Sequence, residues 1–119
     1  MKIEQIIDEI IKLPINFHAK GNKSIYSQLK ETGYFEEYDN IDEEKILDEL
    51  RKQASFTDNW FDWSADKRTN GYYFKQNEKG KYCVGFYPLN SNNNEIEFVS
   101  ILDACAFFIK HEIEEIRKI

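Results

Sequence analysis

The segment GYYFKQNEKGKYCVGFY, residues 71–87, breaks the helical periodicity that governs the chain on either side of it. Two runs rich in aromatic residues flank the polar turn NEKG, in which Gly80 supplies conformational freedom, and this is the pattern of a β-hairpin. Beyond Pro88 and the polar run LNSNNN, EIEFV at 95–99 offers a further short strand. A small antiparallel sheet between helical segments makes the fold class α+β, with the last helix packed across the sheet.

Upstream, Ile3, Ile6, Ile7, Ile10, Ile11 and Leu13 follow an i, i+3, i+4, i+7 pattern, which predicts an amphipathic helix over 2–13 that Pro14 stops. Residues 15–22 then read as a loop. Ser24 caps a short second helix carrying Ile25 and Leu29, and Gly33 is placed to end it in the left-handed conformation. After the linker YFEEYDN, Asn40 and Glu43 form a capping box for a helix over 41–54. Its apolar stripe is Ile46, Leu47, Leu50 and Ala54, and its opposite face carries Glu43, Glu44, Asp48 and Glu49. Ser100 with Asp103 opens the last helix by the same logic, and Ile101, Leu102, Cys105, Phe108, Ile109, Ile113 and Ile116 give it a broad apolar stripe.

With 119 residues, 41% of them hydrophobic, the chain is the size of one domain over residues 1–119 and can bury a core without staples. The net charge of −6 is unevenly spread: Glu31 to Leu50 holds nine carboxylates and one lysine, a local −8 that leaves +2 elsewhere. Such a field repels phosphate backbones and attracts basic partners, so direct nucleic-acid binding is not expected. Cys83 and Cys105 lie in the apolar runs YCVGF and ACAFF and read as buried, reduced thiols, which suits a cytoplasmic protein. The opening MKIEQIIDEIIK is too charged for a signal peptide, and no apolar run reaches the length of a membrane span.

Catalytic constellations are sparse. His18 and His111 read as lone histidines, and an enzyme would require them to meet in one pocket. No CxxC or HExxH spacing points to zinc, no glycine-rich loop cradles phosphate, and neither cysteine has the electropositive setting of a nucleophile. No catalysis, metal or cofactor is expected. DNIDEE clusters oxygens but lacks the glycine and alternation of a calcium loop. The acidic segment reads equally as a solvated helix face or as a docking surface. In the second case Glu36, Glu37, Asp39, Asp42, Glu43 and Glu44 supply the charge and Tyr34 and Tyr38 the anchors, with Asp58 and Asp62 as further contributors.

The stretch WFDWSADKRTNGYYF, residues 60–74, holds both tryptophans. At least two of Trp60, Phe61 and Trp63 should pack under the hairpin as its approach. Lys67 and Arg68 are placed to pair with Asp62 or Asp66 or to cap a neighbouring helix, and Trp63 with the DKR triplet offers an alternative binding rim. That stretch, together with DACAFFIKHEI at 103–113 and SIYSQLKETGYF at 24–35, resembles the small immunity proteins of bacterial contact-dependent growth inhibition and related polymorphic toxin systems. The resemblance implies a cytoplasmic, non-catalytic inhibitor that binds the C-terminal domain of a cognate toxin, commonly a nuclease with a basic substrate surface. The alternative is an acidic adaptor or regulatory module that binds a basic host protein.

Overall fold

The computed structural model describes residues 2–19, 21–65, 71–87 and 95–119. Helix α1, Ile3–Ile11, buries Ile6, Ile7, Ile10 and Ile11 along one stripe, as the spacing predicts. Pro14 does not stop the helical path. The chain turns at Lys12 and a second helix, α2, Leu13–Ala19, begins at once with Pro14 buried in its first turn. The ring is tolerated there because a first-turn residue has no intrahelical acceptor to lose. Much of the expected loop over 15–22 is therefore helical.

Helix α3, Ile25–Glu31, starts as predicted: the Ser24 hydroxyl accepts from the Ser27 backbone N–H at 3.1 Å. Gly33 follows it at φ 93°, in the left-handed region where glycine avoids a Cβ clash. The supposed linker is not extended. It forms a short helix, α4, Tyr34–Glu37, and a single 3-10 turn, Tyr38–Asn40. Helix α5, Glu43–Lys52, is capped by Asp42 and not by Asn40, the Asp42 carboxylate accepting from the Lys45 N–H at 2.9 Å. Ile41 and Ile46, just before the cap and in the first turn, are both fully buried, the placement of a hydrophobic staple. Burying Ile41 puts the helix start after it. Asn40 instead donates to Glu37 at 2.8 Å. The helix ends at Lys52, so Ala54 lies beyond it.

Residues before the hairpin are also helical: α6 runs Phe56–Ala65. Phe56, Trp60 and Trp63 recur at i, i+4 and i+7, a helical period carried by aromatic rings. Asp66, Lys67, Arg68 and the SNNN loop fall outside the described residues.

The hairpin forms as expected. Strands β1, Gly71–Gln76, and β2, Tyr82–Tyr87, pair antiparallel with Phe74 opposite Val84. A three-residue strand, β3, Ile96–Phe98, adds to the other side of β2, giving the order β1-β2-β3. The fold is α+β, and its last helix, α7, Ile101–Arg117, packs on this sheet. Ser100 caps α7 by accepting from the Leu102 N–H at 3.2 Å.

The core lies where α7 meets α5, α6 and the sheet. Phe108 of α7 stands 5.7 Å from Phe74 and 6.1 Å from Trp60, ring centre to ring centre. Trp60 is fully buried and donates its indole N–H to the Ile11 carbonyl at 2.9 Å, joining α6 to α1. Phe61 meets Phe74 edge-on at 5.1 Å. The Ser64 hydroxyl accepts from the Phe74 N–H at 2.6 Å, which occupies a donor on the outer edge of β1. Both cysteines are free, buried thiols, but only Cys105 lies in this core; Cys83 alternates with Val84 and sits on the other face of the sheet beside Asn77. Among the described residues, no helix is long and apolar enough to cross a membrane.

Candidate protein-interaction surface

Lys110, Glu114 and Arg117 recur at i, i+4 and i+7 and so share one face of α7. That face receives α4 and the 3-10 turn. The Tyr34 hydroxyl donates to Glu114 Oε2 at 2.5 Å and accepts from Lys110 Nζ at 2.8 Å. Lys110 also donates to the Tyr38 carbonyl at 3.2 Å. Arg117 donates to both Glu114 oxygens, at 2.9 and 3.0 Å, and its guanidinium lies 3.7 Å from the centre of the Tyr38 ring. A seam of charge-assisted bonds thus holds the acidic segment against the last helix.

This seam fixes the protonation of its members. Burial alone would raise the Glu114 carboxyl, but hydrogen bonds from Arg117 and Tyr34, with the charges of Lys110 and Arg117, outweigh it and bring it down to about 2. Burial, and then the bond to Glu114, push the Tyr34 phenol well above its ordinary value, so it stays a donor. Lys110 is pulled below its ordinary value by burial, against the opposing attraction of Glu114.

Tyr34 is fully buried, so its ring belongs to the core and is no anchor for a partner. Tyr38 is half-buried beneath Arg117. Among the described residues, the six carboxylates make no hydrogen bond to the α7 seam. Glu36, Asp39, Asp42 and Glu44 are exposed, and Glu37 and Glu43 are half-buried. Among the described residues, none of these six forms an ion pair. Their neighbours behave differently: Glu31 pairs with Lys23 at 2.9 Å, Asp48 with Arg51 at 2.9 Å and Glu49 with Lys52 at 3.2 Å. The cost of crowding shows at Glu43. Burial pushes its carboxyl up, His111 opposes this, and Asp103, Asp42 and Glu44 push it up further.

Asp58 and Asp62 do not join this surface. Both are exposed on α6, which packs against α2, β1 and α7, and Asp62 lines a separate cavity. His18 lines that same cavity, whereas His111 stacks on Phe107 at 4.0 Å and bonds the Phe107 carbonyl through Nδ1 at 2.8 Å. The two histidines do not share a pocket. Among the described residues, no group of three or more His, Cys, Asp or Glu side chains is arranged to hold a metal ion.

The α7 triplet escaped sequence reasoning, although its spacing was a readable signal. Lys110, Glu114 and Arg117 lie off the apolar stripe of the last helix, and nothing within a few residues of them marks the acidic segment as their partner. No family model matches the chain, and no curated protein or solved structure matches it.

Proposed function

We propose that this chain is an immunity protein that binds the C-terminal domain of a cognate toxin in the cytoplasm and neutralises it through the acidic surface of α4, the 3-10 turn and α5. One observation carries the reading: among the described residues, six carboxylates from Glu36 to Glu44 lack an ion pair in a fold that pairs the acids on either side of them. Unpaired like charges on a pinned segment repel one another, and a basic partner relieves that repulsion when it binds. A toxin nuclease has such a surface where it holds phosphates. The resemblance in the 24–35, 60–74 and 103–113 segments supports the same partner class.

The test is calorimetry against the toxin domain encoded next to this gene, at two salt concentrations. The expected result is one-to-one binding that weakens as salt rises. The triple variant Glu36→Lys, Glu37→Lys, Asp39→Lys should then lose roughly tenfold or more in association rate, with a flatter salt dependence. Its fold should be retained, because none of the three side chains hydrogen-bonds to the α7 seam, but some stability is lost with the Glu37–Asn40 bond and the attraction between Asp39 and Lys110. Absence of binding to a folded, active toxin domain sinks the immunity reading and leaves the same surface to a basic host partner. Tight binding that ignores salt and the triple variant would remove this surface from the interface.

A further inference from the structure

Helices α2 and α6 flank an open surface cavity of about 150 Å³ that the acidic surface does not reach. This is the room of about five water molecules. Pro14 and Ile15 form its apolar side, Trp63 its aromatic side, and His18, Asn59 and Asp62 bring polar groups to it. Asn59, Asp62 and Trp63 are delivered together because i, i+3 and i+4 share a helix face.

Two features separate this cavity from a packing gap. The Trp63 ring is held in place: its indole N–H donates to Glu112 at 2.8 Å, and Phe17 meets the ring edge-on at 5.3 Å. The polar groups, by contrast, are open to solvent: His18 and Asp62 are exposed and Asn59 is half-buried. Among the described residues, the side chains of His18, Asn59 and Asp62 have neither a hydrogen bond nor an ion pair. The Asp8 carboxylate, elsewhere on the surface, is satisfied by both Lys12 and Gln53.

The lining also fixes the sign and shape of a ligand. Among the described residues that line it, Asp62 is the sole carboxylate and none is a lysine or arginine, so these residues attract a cation and repel an anion. An indole wall beside apolar Pro14 and Ile15 suits an organic cation with a hydrocarbon stem better than a hydrated metal ion. A planar guanidinium uses all of these at once. It can lie against the indole while its N–H groups meet a carboxylate and an amide oxygen.

We propose that the α2–α6 cavity is a receptor for one arginine side chain of a protein partner. Asp62 takes the guanidinium, Asn59 accepts a further N–H, Trp63 forms the flat wall, and Pro14 and Ile15 cover the methylene stem. The proposal deepens the reading that the partner is a basic protein, but it can be tested without any toxin. The ¹⁵N-labelled protein is titrated at low salt with N-acetyl-L-arginine methylamide, following the Asn59 side-chain amide and the Trp63 indole N–H. Saturable shifts confined to α2 and α6 are expected, with a midpoint on the order of millimolar for a ligand this small. The citrulline analogue, neutral but of the same shape, should bind about tenfold more weakly or worse, and Asp62→Asn should cost a similar factor. An unchanged spectrum elsewhere shows that the variant is folded. Three results overturn the proposal: no saturable shift, equal binding of the citrulline analogue, or tighter binding of free arginine, which would make the ligand a small molecule. If the arginine shifts appear and the toxin domain does not bind, the cavity stands and the immunity reading falls.

Discussion

Replacing Tyr34 by phenylalanine removes a single oxygen from the seam between the acidic segment and the last helix. That oxygen donates to Glu114 at 2.5 Å and accepts from Lys110 at 2.8 Å. Hydrogen bonds to charged groups contribute about 1.5–3 kcal/mol each. Neither partner is abandoned, however. Glu114 keeps both bonds from Arg117, and Lys110 keeps the Tyr38 carbonyl. The loss should therefore sit at the lower end, about 1.5–2 kcal/mol. For a domain of this size that lowers Tm by about 6–8 °C. The buried ring itself is retained, so Tyr34→Ala should lose more, about 3–5 kcal/mol. The pH dependence is the sharper test. Glu114 falls from its ordinary 4.5 to about 2 in the folded protein. A carboxyl depressed on folding adds stability above its unfolded pKa, and this is lost as pH falls through the folded value. The phenol is one of the groups that depress it, so the variant's folded pKa should lie higher. The gap in stability between wild type and Tyr34→Phe should thus be full at pH 7 and shrink between about pH 4.5 and 2. Urea unfolding across that range measures it. A variant as stable as wild type at pH 7, or a gap that does not change with pH, refutes the seam as described.

Three further outcomes follow from other parts of the fold. Asp42→Ala removes the α5 cap and should cost about 1 kcal/mol, read as a drop in the urea midpoint, while Asp42→Asn should largely restore it. Gly85→Ala places a methyl 2.5 Å from Cζ of Tyr73, whose phenol is bonded to Glu95; the ring must swing out, at about 1–3 kcal/mol. The thiols should be silent in the native state. Burial pushes both Cys83 and Cys105 up, with Glu95 and Glu97 adding at Cys83, so a thiol reagent at pH 8 should label neither in the native state, and rising denaturant should expose Cys83, outside the α7 core, no later than Cys105.

Features encoded over a few residues were legible in the sequence. The α1 and α7 stripes, the Ser24 and Ser100 caps, Gly33 and the hairpin each rest on neighbours within a turn or two, and each is present. Where two local signals competed, burial decided. Asn40 and Asp42 can both cap, but only the later start puts Ile41 in the core. Helix α6 was hidden by residue type: Phe56, Trp60, Phe61 and Trp63 favour strands by propensity, yet their spacing is helical and tertiary packing follows the spacing.

The surface was legible in charge but not in depth. The run of carboxylates is plain in the letters, whereas the burial of Tyr34 depends on Glu114, 80 positions further along the chain. An aromatic residue among acids looks like an interface anchor until the cation that claims it is known. Here Lys110 and Arg117 claim both tyrosines, and that has a consequence for binding. Arg117 is spent on Glu114 and the Tyr38 ring, whereas Lys110, bonded to Tyr34 and the Tyr38 carbonyl, also attracts Asp39 and Asp42 from within the seam. Had either turned outward, it would have loosened the segment that presents the patch. For docking of the kind proposed, the seam would contribute by holding the backbone of α4 still before a partner arrives.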